Sequence, residues 1–108
     1  MTNLSPAAST ALIDVRTAAK AMKQAATDTA TVADELRRYQ KFAKPGQPSP
    51  HLVQVRQSQA RVRQASNQAK QAFLTASTRF VREAALKVPM KLSLEAYVTA
   101  WLAANPEA

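Results

Sequence analysis

Leu4, Ala8, Ala11, Val15, Ala18, Met22, Ala25, Thr29, Val32, Leu36, Tyr39 and Ala43 follow one another at alternating steps of four and three. That spacing keeps all twelve on one side of a helix and makes a heptad-like, coiled-coil stripe. It predicts a first helix over about 6–43. Ser5 is placed to cap it and Pro6 to occupy its first position, where a missing N–H has no consequence. Leu12, Ala19, Ala26 and Ala33 run beside the stripe and widen it. Pro45 and Gly46 are the expected stop.

A second stripe consists of Val55, Val62, Ala65, Ala69, Ala72, Phe73, Ala76, Phe80 and Ala84, again with a repeat near seven. It predicts a second helix over about 51–87, ahead of Pro89. Two helices of similar length across a short Pro/Gly segment should fold back on each other. A third segment, about 93–104, has Ser93 as its cap, Glu95 in its first turn, and Leu94, Val98, Trp101 and Leu102 on one face. It should pack against Leu4, Leu12, Ile13, Phe80, Val81 and Leu86. The expected architecture is all-α: a long antiparallel helical hairpin with a short C-terminal third helix, in a single domain spanning 1–108.

Composition supports that reading and thins the expected core. Of the 108 residues 46% are hydrophobic, but aromatics make up only 6% and there is one glycine. Alanine contributes little buried area, so one hairpin alone gains little against the entropy of ordering it. Self-association or a partner is therefore expected, with Leu12, Ala19, Ala26 and Ala33 as the contact stripe. The absence of cysteine removes disulfides and thiolate metal sites. No apolar run reaches the roughly 18–20 residues of a membrane span. The N-terminal stretch lacks a basic start and carries Asp14, which makes it a poor signal peptide. The expected location is cytoplasmic, although a leaderless secretion route or a virion would leave the same signature.

Catalytic chemistry has little to work with. His51 is the only histidine and falls in the proline-rich segment, where a solvated ring is the plain reading. Asp34 and Glu35 are adjacent, so they cannot share a helix face as an acid–base pair. There is no Gly-rich phosphate loop and no metal-ligand spacing. The chain is expected to be no enzyme and to take no cofactor and no metal.

Charge is better organised. Fifteen Lys/Arg oppose seven Asp/Glu, for a net +8 and a pI near 10.5. Arg37, Arg38, Lys41, Lys44, Arg56, Arg61 and Arg63 fall in a stretch that contains no acidic residue. Such an excess favours a polyanion: nucleic acid first, an acidic protein otherwise. Those seven are the candidate binding residues. Tyr39 and Phe42 stand among them as stacking residues would, although Tyr39 also belongs to the packing stripe. The glutamines and asparagines of the second helix could contact phosphates or join a polar helix interface.

The segment "PGQPSPHL", with Pro45, Pro48 and Leu52, resembles the P-x-x-P turn and following leucine of type III secretion needle subunits over about a dozen residues. Those subunits have no counterpart of the Trp101 segment. The same turn is similar to that of phage hairpin proteins that sequester cyclic nucleotides, without their aromatic residue in the second helix. Size and charge also resemble small helical subunits of RNA-guided effector complexes. The expectation is a small, basic, non-enzymatic helical protein that associates with nucleic acid through its basic hairpin end. The alternative is an oligomeric structural or assembly subunit or a protein-binding module, of the secretion, phage-particle or effector-complex kind.

Overall fold

The computed structural model describes residues 4–42 and 50–106. Three helices account for most of them: α1 (Pro6–Phe42), α2 (Pro50–Glu83) and α3 (Leu94–Ala104), with no strand among the described residues. The two long helices pack against each other, which is the antiparallel hairpin that the two stripes predict. Pro45 and Gly46, the expected stop of the first helix, lie outside the described residues.

Local chemistry explains the starts of α1 and α3. The Ser5 hydroxyl accepts from the Ala8 N–H at 3.1 Å, satisfying one donor that the first turn of α1 leaves open. Ser93 does the same for the Ala96 N–H at 3.1 Å, and Glu95 complements the positive end of α3.

The end of α2 differs from expectation. The helix stops at Glu83 rather than near Lys87. Ala85 N–H donates to the Arg82 carbonyl at 3.2 Å and Leu86 N–H to the Val81 carbonyl at 3.0 Å. This bond pair is a Schellman stop, with Ala85 in the left-handed region at φ 54°. Glycine usually fills that position because a Cβ clashes there, at about 1–2 kcal/mol. Ala85→Gly should therefore stabilise the fold by about 0.5–1 kcal/mol. A thermal melt showing no gain, or a loss, would contradict the assigned conformation.

The chain forms two compact units, Met1–Lys20 with Lys70–Ala108, and Ala21–Ala69. The first holds the larger core. Ala8, Ala11, Leu12, Val15, Ala18, Phe73, Phe80 and Val98 are buried there. Phe80 is fully covered and meets Trp101 edge to face at 4.8 Å. Arg16 donates to the Asn105 carbonyl at 2.7 Å, and Asn105 Nδ2 donates to the Trp101 carbonyl at 2.9 Å. These bonds tie the end of α3 to α1, so Arg16 has a structural task. Leu12 and Phe80 sit in this core as expected, and Leu4, Val81 and Leu86 are half-buried. Ile13 does not join them: it is 64% exposed. A step of about 100° from Leu12 carries it off the packed face.

The second unit has a thinner core: Ala25, Val32, Val55 and Ala69 are buried, with Leu36, Leu52 and Val62 half-buried. The packed face of α2 also departs from the expected stripe. Ala65 and Ala72 are exposed, whereas Ser66 is half-buried and Ser77 buried. The strict three–four alternation runs Val55, Gln59, Val62, Ser66, Ala69, Phe73, Ala76 and Phe80. Ala65 and Ala72 each fall one residue, about 100°, off that line.

Ser77 is fully buried, and its hydroxyl has no hydrogen-bond partner among the described residues. Burying an unpaired hydroxyl costs about 1–3 kcal/mol. Ser77→Ala removes it and improves helix propensity, so stability should rise by about 1 kcal/mol. For a chain of this size that is a gain of about 4–8 °C in melting temperature. A lower melting temperature would mean that the hydroxyl is being satisfied.

Candidate functional site

The seven predicted cations divide as follows. Arg37, Arg38 and Lys41 lie on the last turns of α1, and Arg56, Arg61 and Arg63 on the first half of α2; all six are exposed. Lys44 lies outside the described residues. Asp34, just before the acid-free stretch, pairs with Arg38 at 3.1 Å and with Arg37 at 4.0 Å. All three side chains are more than half exposed, so both pairs are weak and open to exchange.

Heptad geometry sorts these residues into two flanks. On α1 the seam is Ala25, Val32 and Leu36. Ala26, Ala33 and Arg37 lie to one side of it and Asp28, Glu35 and Arg38 to the other, with Lys41 on the back. On α2 the seam is Val55, Gln59 and Val62. Arg56 and Arg63 lie to one side, His51 and Arg61 to the other. Arg56 and Arg61 point about 140° apart, so the cations are not a single cluster.

A ring contact fixes which flanks adjoin. Tyr39 and His51 stack with centroids 5.4 Å apart and planes within 3°. Tyr39 borders the Glu35 side of α1 and His51 lies on the Arg61 side of α2. Those two flanks therefore adjoin, and so do the opposite two. Counting away from the contact in antiparallel register, Arg56 comes level with Asp34, beside Ala33. Arg63 comes level with Thr27, beside Ala26. The second flank is thus a floor of small alanines along α1, bordered by Arg37, Arg56 and Arg63, and none of these five residues is acidic.

The predicted self-association stripe is divided by this arrangement. Leu12 is buried within its own unit and Ala19 is half-buried. Ala33 is half-buried and Ala26 exposed in the second unit, both on the arginine-bordered flank. His51, at the expected start of the second helix, is the second residue of α2. Tyr39, read in part as packing, keeps 40% of its surface exposed against that ring. The expected helix start at 51 agrees with this, but the reading of His51 as a solvated ring leaves it without a partner on α1. The available signal was position: Tyr39 closes one helix near the Pro/Gly segment and His51 opens the next.

Among the described residues no group of three or more His, Asp or Glu could hold a metal ion, and no helix is long and apolar enough to cross a membrane. No family model, curated protein or solved structure matches the chain.

Proposed function

We propose that this protein is a non-enzymatic, nucleic-acid-associating protein whose phosphate contacts come from the basic hairpin end. The observation that carries the reading is the flank of α1 and α2 where Arg37, Arg56 and Arg63 border Ala26 and Ala33. Asp34, beyond its edge, is the one acid that pairs with any of them among the described residues, weakly and at 4.0 Å to Arg37. Small side chains let a phosphate backbone approach closely, and guanidinium groups are suited to its oxygens. Contacts of this kind position a nucleic acid without reading its bases.

The same flank argues against a symmetric homodimer through the alanine stripe. In a two-fold contact the patch meets its own copy, which would set arginine against arginine. A subunit of a larger assembly remains the second reading, supported by exposed apolar side chains in the other unit: Ile13, Leu74, Met90 and Leu92. Sizing the purified protein with and without oligonucleotide separates the two. A complex that forms only with nucleic acid supports the first; a large species without it supports the second.

Salt gives the sharper test. If three to six cations neutralise phosphates, the logarithm of the binding constant should fall linearly with log salt, with a slope of about −2 to −5. An affinity that does not change with salt would remove the proposal.

A further inference from the structure

The Tyr39–His51 pair has no task in phosphate binding, and it lies on the other flank. Its rings are parallel, 3° between planes and 5.4 Å between centroids. Both residues are exposed, on the surface of the hairpin rather than within its seam. Arg38 immediately precedes Tyr39 on α1, Gln54 comes one turn after His51, and Arg61 continues that flank of α2. Glu35, one turn before Tyr39, is the acid nearest along the chain and makes this flank a poor phosphate track.

We infer that this pair is a nucleobase-stacking surface, so that the ligand is single-stranded nucleic acid with unpaired bases. The inference rests on the proposed phosphate-binding reading and names the ligand class for it. Two physical points support it. An open aromatic face can stack only on a base whose own face is free, which a duplex does not offer. The cations are also spread over both flanks of two helices, each about 10–12 Å across. A duplex is stiff over about 150 base pairs and can engage one flank. A single strand can bend around the pair of helices, leaving phosphates on the arginine-bordered side and bases over Tyr39 and His51.

Three end-labelled probes of equal length test this by fluorescence anisotropy: a thymidine single strand, an abasic single strand with the same phosphates, and a duplex. The protein should prefer the thymidine strand to the abasic one by about 10-fold or more, since each stacked base contributes roughly a 5- to 150-fold gain. Tyr39→Ala with His51→Ala should lower thymidine-strand affinity to the abasic level and leave the other two probes unchanged. Tyr39→Phe with His51→Phe keeps both aromatic faces and should retain the preference. If the unaltered protein binds thymidine and abasic strands equally, the stacking inference is overturned while phosphate binding stands. If it binds none of the three, both readings fall. The comparison of probes uses no variant, so a substitution that unfolds the chain cannot obscure it.

Discussion

Phe80→Ala should lower the melting temperature by more than about 10 °C and shift Trp101 emission to longer wavelength. Phe80 is fully buried and is the largest such side chain among the described residues. Truncating a buried phenylalanine costs about 3–5 kcal/mol through lost transfer energy and the cavity left behind. Its edge-to-face contact with Trp101 adds an amount of the order of 1 kcal/mol. Small domains hold about 5–15 kcal/mol in total, so this one change removes much of the reserve. The chain has a single tryptophan, so the emission shift reports on α3 without ambiguity. Val53→Ala, at a residue 50% exposed, is the matched control and should move stability by no more than about 0.5 kcal/mol. Equal effects from the two changes would mean that the Phe80–Trp101 contact does not organise this unit.

The sequence made most of this core legible because large apolar side chains are scarce. Phe73, Phe80, Val98 and Trp101 stand out in an alanine background, and their spacing sorts them onto packed faces. Ser5 and Ser93 were legible for another reason: an N-cap is a local event, decided by one side-chain oxygen and the N–H three residues on. The end of α2 was not. A left-handed stop is announced by glycine or asparagine, and here alanine adopts it. The bonds from Ala85 and Leu86 are set by where the chain must turn, which alanine does not encode. Ser66, on the seam, and Ser77, one residue beyond Ala76, are not announced by an apolar stripe, whereas a small side chain of either polarity fits between close helices.

The candidate site was legible as a set of charges and not as a surface. Counting Lys and Arg between positions 37 and 63 finds the residues but treats them as one cluster. The division into flanks needs the seam of each helix, and the seam of α2 was drawn partly one residue off. Which flank of α1 adjoins which flank of α2 depends on handedness and register, and the Tyr39–His51 contact supplies both. Only then do Ala26 and Ala33, assigned to self-association, fall beside Arg56 and Arg63, assigned to ligand binding. Two expectations drawn separately from the sequence concern the same surface.

That coincidence leads to the second large effect. Changing Arg37, Lys41, Arg56 and Arg63 to Glu should weaken oligonucleotide binding by at least about 100-fold at low salt, and the salt slope should flatten by about 3. Helicity should persist, because all four side chains are exposed and, among the described residues, Arg37 alone of the four makes an ion pair, at 4.0 Å to Asp34. The control reverses Arg79, Arg82, Lys87 and Lys91, which are also exposed but belong to the other unit. Both quadruple variants change net charge by the same amount, so a diffuse field would weaken binding equally in the two. A localised surface weakens it in the first alone. If Ala26 and Ala33 instead meet a second copy of the chain, the first variant should change the oligomeric state at constant salt, with no oligonucleotide present. Sedimentation of the free protein at several salt concentrations reads that outcome directly. A change there, with oligonucleotide affinity untouched, would give the alanine-floored flank to self-assembly and leave nucleic acid without a site.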